Sequence, residues 1–150
     1  MEKLLDFHIH LLHPKLIHFP IALFISAMGL EMLSLVFEFA SGGRKDTLHR
    51  TALHIYTLAA LMTPLAVLTG LQDAGHLHLN HPVLNTHKTF ALLTMWGSLV
   101  SLPILWFLRK HIKMFRILFL VFTLIIVTFV TIAGHNGGRM VYEYGVGVEK

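Results

Sequence analysis

The chain has 150 residues, of which 55% are hydrophobic and 13% charged, and its mean hydropathy is +0.67. Soluble domains carry about a quarter charged residues, so lipid is the expected solvent. The formal charge of +4 shows no basic block interleaved with aromatics, which argues against nucleic acid as a partner; the lack of cysteine excludes disulfides, thiolate metal sites, iron–sulfur clusters and covalent haem attachment.

The start, MEKLLDFHIH, carries acids and histidines before any apolar run, so it does not read as a cleavable signal peptide. HPKLIHFPIALF then leads into a first apolar segment, Leu16–Phe39. A helix needs about 20 residues to cross about 30 Å of hydrocarbon, and this segment is long enough. SGGRKD is a Gly/charge turn before a second segment, Thr51–Leu71, which closes on TGLQDAG. The polar loop QDAGHLHLNHPVLN precedes a third segment, Thr89–Leu108, and the basic turn RKHIKMFR a fourth, Phe115–Gly134. The Gly-rich tail 135–150 is expected outside the bilayer core. The fold class is therefore all-α: one domain, an integral membrane four-helix bundle.

Charge orients the bundle. An even number of spans puts both termini and the middle loop on one side. Arg44, Lys45, Arg50, Arg109, Lys110, Lys113 and Arg116 gather on the other, against Glu38 and Asp46. The positive-inside rule then makes both termini extracytoplasmic.

Histidine is in excess: there are 12, as many as Lys and Arg together. His8, His10, His13, His18, His76, His78, His81, His87 and His135 fall on the outer side, and His49, His54 and His111 on the inner. Histidines in solvated loops need no special role. His18, His87 and His135 differ because each sits at a helix end. HPKLIHFPIALF and HPVLNTHKTF align as a repeat, Pro14 with Pro82 and His18 with His87 after one inserted residue. The chain thus reads as two pseudo-repeated helical hairpins, with the first and third helices diagonal and His18 facing His87.

At helical spacing below His18 come Ala22, Ile25 or Ser26, and Gly29; below His87 come Ala91, Thr94, Ser98 and Ser101. The fourth helix offers Thr128, Thr131 and His135. Small residues also serve close helix packing in membranes, so the stripes alone are ambiguous. Ionisable residues heading them point to a functional interior.

Two facing imidazoles suit the iron of a haem b, with Arg139, Lys88 or loop histidines meeting the propionates. Zn or Cu with His135 as third ligand is an alternative, and a hydrogen-bonded histidine network without cofactor is another. His54 with His111 or Met114 marks a possible second site at the inner end, which would make two haems. Glu31, inside the first span, is a candidate for proton handling or a polar bundle contact, and Asp73 for proton handling or for orienting a loop histidine.

HPKLIHFPIAL, TGLQDAG, the helix entrance at His87 and GGRMVYEYGVGV together resemble the small bacterial four-span membrane proteins called domain of unknown function 2231. The resemblance covers nearly the whole chain. Some members resemble redox modules in being joined to Rieske iron–sulfur or cytochrome domains, which implies an electron-transfer setting and separate cytochrome or iron–sulfur partners.

The expectation is a cytochrome b-like electron-transfer subunit of the bacterial inner membrane rather than a stand-alone enzyme. It would work with a quinone or another redox protein. A histidine-lined metal or proton transporter, and a cofactor-free scaffold subunit, are the alternative classes.

Overall fold

The computed structural model describes residues 12–42, 46–76 and 82–146. His8, His10, His78 and His81, counted above among the outer histidines, lie outside the described residues. Four helices run in order: α1 (Leu12–Ser41), α2 (Asp46–His76), α3 (Pro82–Leu108) and α4 (Ile112–Tyr142). Each is long and apolar enough to cross a membrane. No strand occurs among the described residues.

Local chemistry sets the helix limits. Pro82 opens α3 at a position where its missing N–H costs nothing. Gly42, at φ 65°, closes α1 in the left-handed conformation that glycine adopts freely. Gly145, at φ 64°, ends α4, where the Val146 amide donates back to the Met140 carbonyl at 2.9 Å. Pro64 leaves the Ala60 carbonyl without its helical donor, and the Thr63 hydroxyl supplies one at 2.7 Å.

The helices of each hairpin, α1 with α2 and α3 with α4, pack most extensively. Across the hairpins α1 meets α4 and α2 meets α3, which leaves α1 and α3 diagonal. The end where α1 starts and α4 finishes is the terminal end; the turns within each hairpin form the hairpin end. The interior is built of small and hydroxyl residues with a few aromatics, and Leu, Phe, Ile and Trp point outward: Phe39 is 95% exposed and Phe107 80%. That inversion of a soluble protein's surface is what hydrocarbon solvent requires.

The fourth helix runs past the expected end of its span at Gly134 to Tyr142. Asn136 is buried there, its amide donating to the Ile132 carbonyl at 2.9 Å. The buried stripes of α1 and α4 also have a different phase. On α1, Pro20, Phe24, Ala27, Glu31 and Ser34 are buried, while His18, Ala22, Ile25, Ser26 and Gly29 are exposed. On α4, Thr123, Ile126, Val130 and Ala133 turn inward, and Thr128, Thr131 and His135 outward. Only α3 keeps the expected face: His87, Thr94, Ser98 and Ser101 are buried.

Candidate functional site

At the terminal end, between the hairpins, lies an apolar cavity of about 70 Å³. Two histidines line it, His13 from the first turn of α1 and His87 from α3. His13 Nδ1 donates to the Ala66 carbonyl of α2 at 2.9 Å, with the Thr69 hydroxyl at 3.3 Å. His87 Nδ1 donates to the Ala133 carbonyl of α4 at 2.8 Å. In each hairpin, then, a histidine on the first helix is held by a backbone carbonyl on the second.

The carbonyls decide the tautomer. A carbonyl oxygen only accepts, so Nδ1 of each ring carries the proton, and Nε2 of the neutral ring keeps its lone pair. Among the described residues Nε2 has no hydrogen-bond partner in either histidine. This is the arrangement in which a carbonyl orients an imidazole for metal ligation.

Glycine completes each ring seat. Ala66 and Ala133 are each followed four residues later by glycine, Gly70 and Gly137. A Cβ at Gly70 would lie 2.6 Å from His13 Cε1, so only glycine admits the ring there. At Gly137 the corresponding distance to His87 Cε1 is 3.4 Å, an ordinary contact. Ile17, Ile21, Leu84 and Leu92 add apolar walls, and Lys88 supplies the cavity's ammonium group.

The expected pair was His18 with His87, and the fold does not bring these together. His18 is exposed and lies about 140° around the helix from His13, at 100° per residue. His135 is exposed and does not line the cavity. Arg139 is tied to its own helix end, its Nε donating to Glu143 Oε2 at 2.9 Å and a terminal nitrogen to the Tyr144 hydroxyl at 3.3 Å. Asp73 is half-buried on the last turns of α2. His54 is exposed on α2. His111 and Met114 border a surface hollow with Lys110 and Lys113, whose ammonium groups oppose a cation. No group of three histidines or carboxylates able to hold a metal ion occurs among the described residues.

Glu31 is fully buried at the hairpin end. His49 Nδ1 meets its Oε2 at 2.6 Å, and Arg116 Nε stands 3.5 Å from its Oε1. Arg116 also binds Glu38 and donates to the Ser34 hydroxyl at 3.1 Å. Neither His49 nor Arg116 was expected to join Glu31. One signal for His13 was present in the sequence: stepping back from Glu31 by alternating four and three residues reaches Ala27, Phe24, Pro20, Ile17 and His13. A carboxylate inside a span belongs on the inner face, so Glu31 sets the phase of α1.

No curated protein and no solved structure matches the chain. A family model described as predicted membrane protein (DUF2231) matches residues 9–150, which include every side chain of both clusters. The chain, a multi-pass membrane protein built as a four-helix bundle, belongs to that family, domain of unknown function 2231.

Proposed function

We propose that the protein is an electron-transfer subunit that holds a b-type haem between His13 and His87. The observation that carries this reading is the paired seating of the two rings. Each imidazole is locked in the ligating tautomer by a carbonyl of its hairpin partner, and both line one apolar cavity. The donor set and the lining suit a bis-histidine porphyrin site, and Lys88 suits a propionate at its edge. The cavity lies between the hairpins, whose mutual interfaces are the less extensive ones, so a macrocycle would enter by parting them. Bound haem supplies one-electron chemistry; the chain supplies ligation, low dielectric and position.

The pair of carbonyl-oriented imidazoles also supports a second reading, a single soft ion such as Cu(I) between them. Under either reading the basic hairpin end faces the cytoplasm and the histidine end faces out, by the positive-inside rule. The site would then exchange electrons with a quinol or a separate cytochrome or iron–sulfur protein at the outer face of a bacterial inner membrane.

The test is the visible spectrum of detergent-purified protein from haem-replete cells, with haem and metal quantified on the same sample. A low-spin b-type spectrum is expected, lost or converted in both His13→Ala and His87→Ala and unchanged in His18→Ala. Colourless protein rejects the haem reading, and stoichiometric copper in that protein selects the second. Loss of the low-spin signal in His18→Ala with its retention in His13→Ala would restore the pair expected from the sequence.

A further inference from the structure

The cluster around Glu31 lies at the opposite end from the histidine cavity, and electron transfer leaves it unexplained. Among the described residues its charges do not balance. Glu31 and Glu38 from α1 supply two carboxylates, Arg116 from α4 supplies one guanidinium, and His49 from α2 is the remaining titratable group. α3 contributes no ionisable side chain to these contacts. With His49 neutral the described cluster carries one net negative charge, although the Glu31 side chain has no exposed surface. An unbalanced charge in a low-dielectric interior is costly, and one bound proton removes it.

The hydrogen bonding indicates where that proton resides. Glu31 Oε1 and Arg116 Nε are both buried without a hydrogen-bond partner, their separation of 3.5 Å being too long for a strong one. Arg116 is drawn instead toward Glu38 and Ser34. Glu31 therefore relies on His49, whose 2.6 Å contact is short for a nitrogen–oxygen pair and fits a charge-assisted bond. The His49 ring lies perpendicular to Phe115 and Phe119, with centroids at 5.5 and 5.6 Å. Its side chain keeps about a tenth of its surface accessible, and Glu38 about a third.

We propose that Glu31 and His49 form a proton-binding site at the hairpin end, holding one exchangeable proton that Arg116 and Glu38 hold in register. In the loaded state His49 is an imidazolium donating through Nδ1 to Glu31 Oε2. On unloading, Nε2 gives its proton to water, Nδ1–H stays on the carboxylate, and the cluster's charge falls by one. The ligand is a proton from the solvent at that face. A buried pair with no exchangeable proton would be merely structural, and the two cases differ measurably.

The experiment is pH-difference infrared spectroscopy in H₂O and D₂O on detergent-purified full-length protein, wild type and variants. Wild type should show one coupled imidazole–carboxylate titration that shifts on deuteration. Glu31→Gln, which leaves the Arg116–Glu38 pair balanced, should abolish it. His49→Gln should move the proton onto Glu31 and create a carboxylic acid carbonyl band absent from wild type. The proposal is overturned if Glu31→Gln gives the wild-type difference spectrum, or if the wild-type signal resists deuteration. If Glu31→Gln fails to fold, the carbonyl band in His49→Gln decides alone, and its absence counts against the site. His13→Ala should keep the signal, so failure of the haem reading leaves this result intact.

Discussion

Gly70 and His13 show how one missing carbon sets a site. A Cβ at Gly70 would intrude on the His13 ring at 2.6 Å, whereas at Gly137 the equivalent approach to His87 is 3.4 Å. Gly→Ala gains about 1 kcal/mol of helix propensity, and a displaced hydrogen bond loses about as much. Gly70→Ala should therefore barely change the melting temperature in detergent while displacing His13 and altering the spectrum of any bound cofactor. Gly137→Ala should stabilise the protein by up to about 1 kcal/mol with the site intact. Equal effects from the two substitutions would contradict the ring seats described. Tyr56, fully buried, bonds the Ser101 hydroxyl at 2.8 Å between α2 and α3. Tyr56→Phe should cost about 0.6 kcal/mol in reversible denaturation, the usual size of such bonds inside membrane bundles.

At the scale of the element, each helix of the bundle was legible as a helix and two of the four were misphased. Apolar length finds a span without regard to which face is buried, because lipid and bundle interior are almost equally apolar. On α3 the hydroxyls of Thr94, Ser98 and Ser101 broke that symmetry and gave the right face. On α4 the lipid-facing Thr128 and Thr131 misled, since each hydroxyl bonds its own helix at the carbonyl four residues back and needs no interior partner. On α1 the informative residue was Glu31. Its helix is held to α4 by Arg116, so Arg116→Ala should be far more damaging than Glu31→Gln. It would strand Glu38 and take the nearby cation from the fully buried Glu31, leaving it His49 alone, at a cost of about 3 kcal/mol. Thermal denaturation in detergent should rank Arg116→Ala well below Glu31→Gln; the reverse order would argue against the cluster.

Across the whole molecule the bundle separates two kinds of chemistry by the length of a span: paired imidazoles at the terminal end, a charged cluster at the hairpin end. Between them the interior is mostly aromatic and small residues, with Phe24 and Phe119, fully buried, each edge-on to the buried Tyr56. Each end has its own framework: at one a histidine held by a carbonyl within each hairpin, at the other ion pairs that join α1, α2 and α4. Orientation is testable directly, because a chain without cysteine offers no background thiols. Tyr142→Cys, at an exposed position of the terminal end, should react with a membrane-impermeant maleimide in spheroplasts, and Lys110→Cys only after the membrane is opened. The opposite pattern would reverse the assignment of the basic loops to the cytoplasm.

The sequence by itself determined the membrane class, the four helices, their pairing into hairpins and the family, because length, hydropathy and loop charge act locally along the chain. It also marked His87 as inward-facing and Glu31 as out of place in lipid. Only the tertiary structure decided that His13 rather than His18 shares the cavity with His87, and that His49 and Arg116 surround Glu31. Those pairings depend on helix rotation and on backbone carbonyls of Ala66 and Ala133 from neighbouring helices. A backbone carbonyl leaves no mark on residue type, and helix rotation is set by the few contacts that hydrocarbon cannot replace.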